Sequence, residues 1–550
     1  MPFVGDIFSQ LKAAADIPVL QEIRDGHITG VTGGELLELV RQARTFLASE
    51  GLKKGDRCGL LAPNSIRWVA IDLAIMAEGL IAVPLYSRQA PAELVAMMKD
   101  CTPSLVCCGD ASLRAGIQQA WPEAPRCVLF EEAFAGSGLS GSVDRPQLRD
   151  ADPVTIIYTS GTSGEAKGVV LTAANVGFML GCTSARLDLL MEGRIGQDRI
   201  FHYLPFNFCA SWIALLTFLL RGSLVTLNTD LTSIANDIPL VAPHYFLNVP
   251  QLLERMRRGV DEKLRQTGGV AQAIYSRALA AWSRRQDGKA KSGDGIWLWL
   301  ADKLVFAAIR KKMTGVNLKA LICGSAPLNV ETQLYFSMLG IPVLQVYGLT
   351  ETTAICTMDD PRHVEPGRAG PAIPGIEMRL ADNDEIIVRG PNIFPGYWNR
   401  PQQTAEALRD GWFRTGDQGE MDKSGNWRIV GRIKSLIILG SGHKISPEGI
   451  EDEIVHRLPA AQQVVVVGND RGYLSAIVTG TATQEQVQAA LDAVNSQLPH
   501  YKQVRAFCLR TELFSIENGM LTVNGKLKRD LIAVRMKNEI DQMYEMKQAV

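Results

Sequence analysis

Charge of neither sign dominates this sequence: 57 Lys+Arg stand against 58 Asp+Glu in 550 residues, a formal net charge of −1. A general nucleic-acid binder carries a basic excess, so nucleic acid is not expected as a partner. Cysteine is sparse and unpatterned. The ten cysteines include no C-x-x-C pair, and only Cys107 and Cys108 are adjacent. Scattered thiols in a long chain read as small buried apolar residues in a reducing compartment, not as disulfides or metal ligands. Histidine is scarcer still, with seven residues and none in a Ser/His/Asp or metal-ligand spacing. No apolar run reaches the roughly 20 residues that a bilayer span takes. The longest, residues 208–220, is interrupted by Ser211 and Thr217. The first residues, MPFVGDIFSQLKAAAD, lack the basic start and apolar stretch of a secretory signal. The expectation is a soluble protein of the cytoplasm.

What is present is a large folding chain. With 46% apolar residues it is too apolar, and too balanced in charge, to be disordered. Its length suggests roughly three or four structural units. Residues 34–47 have helical spacing (Leu36, Leu37, Val40, Ala43, Leu47), residues 57–62 read as a strand, and Pro63–Asn64 as a turn. Residues 69–78 are again helix-like and 82–86 strand-like. Such alternation favours a helix-covered, mostly parallel sheet. Residues 136–142 read as a Gly/Ser loop, and no long repeat is visible.

Residues 251–320 stand apart. They hold 15 Lys+Arg against six acids, a local +9 that leaves −10 for the rest, together with Trp282, Trp297 and Trp299. The plain reading is a solvated helical insertion. The sharper one is a docking face for anionic lipid or an acidic partner, with peripheral contact at the inner face of a membrane. Further on, residues 410–417 and 422–426 read as turns around short strands. Residues 464–468 read as a strand, and 484–497 and 531–546 as helices. The last 120 or so residues suit a compact α+β domain.

The strongest motif is residues 154–170, VTIIYTSGTSGEAKGVV. An apolar strand runs into a loop of glycines and small hydroxyl residues, then into Lys167-Gly168 and a second apolar run. Backbone N–H groups and hydroxyls in such a loop can cradle phosphate oxygens. It is not a Walker A loop, since Gly161 and Gly164 are too close and Lys167 is followed by Gly168. Four further stretches follow in order: GSAPL at 324–328, YGLTE at 347–351, GWFRTGD at 411–417 and GRIKSLIILGSG at 431–442. NGKLKRD at 524–530 comes last. Singly, each could be a structural turn, and NGK a hairpin of the Asn-Gly type.

In this order and spacing, the chain resembles the adenylate-forming superfamily of acyl-CoA synthetases, peptide-synthetase adenylation domains and firefly luciferase. The resemblance runs from about residue 30 to 535. Residues 301–328 and 340–351 are most similar to long-chain fatty acyl-CoA synthetases. It implies an α/β fold: a large multi-sheet N-terminal domain with helix-covered, mostly parallel sheets (1–432), and a small mobile α+β C-terminal domain (433–550) hinged at Lys434. The implied reaction activates a hydrophobic acid with ATP and Mg²⁺ to an acyl-adenylate, then transfers the acyl group to CoA. Acyl-carrier-protein loading or internal cyclisation is the near alternative, and a phosphotransferase the distant one.

The resemblance also assigns residues. Thr159, Ser160, Gly161, Thr162, Ser163, Gly164 and Lys167 would form the phosphate loop. Gly324, Ser325, Ala326, Pro327, Tyr347 and Gly348 would frame adenine. Thr350 would meet phosphate and Glu351 would hold Mg²⁺. Asp417, helped by Arg432, would accept the ribose hydroxyls, and Lys526 would bridge the attacking carboxylate and α-phosphate. Ser441, Gly442 and His443 would receive CoA after the small domain turns. The phosphate loop departs mildly from the pattern at Ser163 and Ala166. Phe208, Ser211 and Trp212 stand where long-chain enzymes usually carry His, Glu and Arg. With Phe206, the aromatics Phe208 and Trp212 are the expected acyl-pocket lining.

Overall fold

A computed structural model describes residues 3–135, 148–160, 166–192, 196–515, 517–521 and 526–545. The Gly/Ser stretch at 136–142 lies outside them. Two large sheets and one smaller sheet build the body. The first orders its seven strands as Gly396–Tyr397, Ala166–Thr172, Pro153–Ser160, Ile81–Leu85, Arg57–Leu61, Leu105–Cys108 and Arg126–Leu129. From Pro153–Ser160 to Arg126–Leu129 neighbours are parallel. The other two pairings are antiparallel.

The second sheet has eight strands. Its six inner ones, including Ala320–Cys323 and Val343–Tyr347, are parallel, and its edge strands Thr357–Met358 and His27–Thr32 antiparallel. One apolar cluster joins both sheets through the helices Ile66–Ala77, Ala173–Leu190 and Cys209–Leu220. Residues Trp68 to Met76 are all buried, and a helix apolar all round must be covered all round. The expected helix at 34–47 is Gly33–Ser49, opened by a capping box between Thr32 and Glu35.

The third sheet is wholly antiparallel: Glu377–Leu380, Glu385–Arg389, Leu408–Arg409, Trp412–Met421 and Trp427–Arg432. Residues 412–417 therefore do not form a turn, contrary to the expectation; they begin a ten-residue strand. Phe413, Thr415 and Asp417 alternate inward, so two of the three inward residues are polar and hide the period of two.

The expected helical insertion is present. Helices Pro250–Thr267 and Gly269–Gln286 are followed by Asp294–Ala301, a wide π turn Asp302–Phe306, and Ala307–Thr314. They pack on a second apolar cluster of the body.

The smaller unit has a three-stranded sheet, Ala461–Val467, Leu474–Gly480 and Val504–Arg510. One face is covered by Glu448–Arg457 and Gln484–Asn495, the other by Arg529–Arg535 and Lys537–Glu545. The helix expected over 531–546 is thus two helices, separated at Met536, whose φ of −104° and ψ of 23° leave the helical region. Its residue 546 lies outside the described ones.

Candidate functional site

The site begins where the parallel strands of the second sheet end. Ala320–Cys323 delivers Gly324–Pro327, and Val343–Tyr347 delivers Gly348 and the turn Thr350–Thr352. Carboxyl ends of parallel strands are where open α/β sheets bind ligands. Glycine is required at two points. A Cβ on Gly324 would lie 2.6 Å from a Val346 methyl, and one on Gly348 2.2 Å from the Ala354 carbonyl oxygen. Ser325, Thr353 and Ala354 hold left-handed φ angles of 76°, 53° and 90°. Such conformations cost about 1–3 kcal/mol each and gather at functional loops. Buried Asn392 clamps the turn: its amide donates to the Thr352 carbonyl at 3.2 Å, and the Thr353 hydroxyl donates to its carbonyl at 2.7 Å.

Asp417 lies opposite Arg432 in the register of the third sheet. The Tyr347 hydroxyl donates to one carboxylate oxygen at 2.7 Å, and Arg432 Nε approaches the other at 2.7 Å. Burial pushes the Asp417 carboxyl up from the ordinary range, while Arg432, the Tyr347 hydroxyl and Lys526 pull it down. Lys526 comes from the smaller unit. Its side chain reaches solvent, but desolvation, then Arg432, hold its ammonium pKa below the usual value. Asp417 and Glu351 oppose that. Lys526 thus lies within the electrostatic reach of Glu351, Asp417 and Arg432, and all four are residues that the sequence points to.

A second chain of contacts reaches Lys167 and its strand. The Tyr397 hydroxyl donates to Glu351 Oε1 at 2.9 Å, and Lys167 Nζ lies 5.1 Å from the centre of the Tyr397 ring. Strand Gly396–Tyr397 pairs with Val169 and Val170, and Phe394 donates its N–H to the Glu351 carbonyl at 2.9 Å. Tyr397 thus joins the loop strand to the Glu351 turn. Sequence reasoning missed both Tyr397 and Asn392; the signal available was an aromatic directly after glycine in PGYWN. Thr159 pairs with Lys167 across the two strands that flank the loop. Gly161, Thr162, Ser163 and Gly164 lie outside the described residues, as does the side chain of Ser160.

The expected acyl-pocket residues separate. Phe206 is buried, its ring tilted against Trp68 at 4.8 Å and stacked on His202 at 5.2 Å. Phe208 is half-buried just before helix Cys209–Leu220. Trp212 is wholly enclosed, and its indole N–H donates to Asp72 at 2.8 Å. Ser211 contacts His202 Nε2 at 2.7 Å and donates to the Leu204 carbonyl at 2.8 Å. Ser211 and Trp212 therefore satisfy buried polar partners within the wall. Burial raises Asp72 to about 7 and lowers His202 to about 4. A narrow cleft lined by Leu85, Tyr86, Tyr158, Thr159 and Asn207 adjoins this segment.

Ser441, Gly442 and His443 form an exposed turn. Ser441 Oγ is 2.9 Å from His443 Nδ1, and His443 stacks 4.4 Å from Tyr501. Gly442 has φ +82°, and a Cβ there would meet nothing within 4 Å, so conformation rather than crowding favours glycine. Lys434 is exposed in the short turn Ile433–Ser435. Polar links between body and smaller unit include His456 with Glu331, Lys528 with Glu93 at 3.9 Å and Lys444 with Asn383 at 3.4 Å. Glu331 and Glu93 are substantially exposed, and exposed pairs of this kind contribute about 0–1 kcal/mol.

Among the described residues, no group of three or more His, Cys, Asp or Glu could cage a metal ion. A lone carboxylate at Glu351 fits Mg²⁺, which commonly takes one or two protein carboxylates plus substrate phosphates.

This cluster of charged side chains beside parallel-strand ends lies where α/β enzymes bind their ligands. The family model for AMP-binding enzymes matches residues 8–398, and that for the AMP-binding enzyme C-terminal domain residues 434–548. The chain belongs to the AMP-binding enzyme family, the adenylate-forming ligases. It is 29% identical to the long-chain-fatty-acid–CoA ligase FadD15 of Mycobacterium bovis, over 98% of this chain and 96% of that one. It is 26% identical to long chain acyl-CoA synthetase 3 of Arabidopsis thaliana, over 99% and 92%. Its fold matches the A domain of carboxylic acid reductase from Segniliparus rugosus, solved with AMP and a co-purified carboxylic acid. The TM-score is 0.78 at 21% identity, over 99% of this chain and 94% of that one.

Proposed function

We propose that this protein converts a hydrophobic acid, a fatty acid of medium or long chain, to its CoA thioester. The acid's carboxylate attacks the α-phosphate of ATP, giving acyl-adenylate and pyrophosphate; the CoA thiol then attacks the acyl carbonyl and AMP leaves. One observation carries the reading: Tyr347 and Arg432 hold the Asp417 carboxylate at 2.7 Å each beside the strand ends, and Lys526 of the smaller unit feels the charges of Arg432, Asp417 and Glu351. The names of the two fatty-acid ligases support the substrate class.

Each residue then has a task. Two anions must meet in the first step, and fixed positive charge offsets their repulsion. Lys526, whose charged form desolvation disfavours in the cleft, gains most from an arriving carboxylate and α-phosphate. Lys167 accompanies the departing pyrophosphate. Asp417 accepts the ribose hydroxyls with the lone pairs that Tyr347 and Arg432 leave free. Gly324–Pro327, Tyr347 and Gly348 frame adenine, and Thr350 meets phosphate. Glu351 would hold Mg²⁺, which supplies charge neutralisation for the phosphates.

In this reading residues 1–432 are the body and 433–550 a lid that turns about Lys434. The turn withdraws Lys526 and presents Ser441, Gly442 and His443 to the pantetheine arm. Half-buried Phe208 shapes the acyl side of the cleft, with the buried Phe206 and Trp212 packed behind it as support. The protein works in the cytoplasm, touching anionic membrane through residues 251–320; no helix among the described residues is long and apolar enough to cross one. A pyrophosphate-release screen over fatty, aryl and hydroxy acids, with and without CoA, tests the function. Fatty acids should give the fastest release, accelerated by CoA. Release that CoA accelerates for no acid points instead to carrier loading or cyclisation, and ADP as product to a phosphotransferase.

A further inference from the structure

The helical stretch from Asp294 to Thr314 has two unlike faces. Ala301, Val305 and Phe306 face the body's second apolar cluster. The other face carries Ile296, Trp299, Lys303, Leu304, Lys311 and Lys312, all exposed. Ile296, Trp299 and Leu304 are 63%, 61% and 61% exposed. Single exposed apolar residues need no explanation, but three large ones on one helix face do. Leu304 lies within the wide π turn Asp302–Phe306, five residues after Trp299.

Charge decides what would cover this face. Lysines follow the apolar end, and Lys303 is only loosely matched, 4.0 Å from Asp302, which also pairs with Arg310 at 2.9 Å. The surrounding segment carries +9. Apolar knobs with a tryptophan and flanking lysines are the composition of an element that lies in a membrane interface. An acidic protein would be met by the lysines but would leave the knobs unexplained.

We propose that the face formed by Ile296, Trp299 and Leu304 with Lys303, Lys311 and Lys312 docks on an anionic bilayer, inserting its apolar end among the headgroups. The proposal narrows the membrane contact put forward above to one helix face and rests on that reading. Docking there would bring the protein to the phase in which a hydrophobic acid dissolves.

Co-sedimentation with phosphatidylcholine vesicles, with and without phosphatidylglycerol, tests it on the full chain. The wild-type protein should bind the anionic vesicles at least about tenfold better, and lose that preference at high salt. Trp299→Asp with Leu304→Asp, and separately Lys311→Glu with Lys312→Glu, should each lower binding at least about tenfold. Pyrophosphate release on detergent-dispersed acid should stay unchanged in both, which also shows that they fold. Wild-type binding that ignores lipid charge, or variants that bind as wild type does, would overturn the proposal. No vesicle binding at all would also overturn it and leave an acidic protein as the occupant. Loss of ligase activity in the wild type would instead count against the proposed reaction, leaving the docking result to stand by itself.

Discussion

Tyr397→Phe separates two contacts that a single side chain makes. The substitution removes the hydroxyl that donates to Glu351 at 2.9 Å. It keeps the ring beneath Lys167, 5.1 Å from its ammonium, and the edge contact with Phe394 at 4.8 Å. A hydrogen bond to a charged acceptor contributes about 1.5–3 kcal/mol. Tyr397 is only half-buried, which favours the lower end, so adenylation should slow about tenfold. Burial and the Glu351 charge push the hydroxyl pKa well up, so it remains a donor throughout any practical assay. Glu351 without its donor should orient less well, and the Mg²⁺ concentration for half-maximal pyrophosphate release should rise. Tyr397→Ala should lose more, because Lys167 and Phe394 then lose the ring as well. Transfer from supplied acyl-adenylate to CoA should be spared in Tyr397→Phe. A Phe variant with wild-type rate and Mg²⁺ dependence, beside a failing Ala variant, would refute the reasoning and reduce Tyr397 to packing.

Two other substitutions probe the charge arrangement. Asp417→Asn should raise the KM for ATP about tenfold or more and leave the KM for the acid nearly unchanged, measured by pyrophosphate release, since charge-assisted bonds to Tyr347 and Arg432 weaken together. Asp72→Asn should change the pH dependence of stability. Burial raises the Asp72 carboxyl from 3.8 to about 7, so below about pH 4 both folded and unfolded forms are neutral and the site costs nothing. As pH rises from about 4 to about 7 the unfolded form ionises first, and the site's contribution is lost. Melting temperatures across that window should therefore fall less in Asp72→Asn than in the wild type, and an unchanged slope would count against the buried neutral acid.

Much of the fold is legible where the hydrophobic period is clean, and little where polar residues face inward. Leu36, Val40, Ala43 and Leu47 mark their helix because each is buried on one face. The strand Trp412–Met421 escapes because Thr415 and Asp417 point into the protein for hydrogen bonding. The break at Met536 escapes because apolar residues continue on both sides of it. At the site, Glu351, Asp417, Arg432 and Lys526 are reached through family resemblance, and the last feels the charges of the other three. Tyr397 could not be found that way, since its value comes from partners far apart in the chain, Glu351 and Lys167, which only strand pairing brings near. The +9 of residues 251–320 is plain in the sequence, but which of its apolar residues stay exposed, Trp299 and Leu304 among them, is settled only by packing on the body.

Lys526 should act in one half-reaction alone. Lys526→Ala should be assayed twice: for acid-dependent pyrophosphate release, and for transfer of a supplied acyl-adenylate to CoA. The account predicts a loss of at least about a hundredfold in the first, as expected for removal of a charge that stabilises the transition state, and near wild-type rates in the second. Equal losses in both, or in neither, would contradict it.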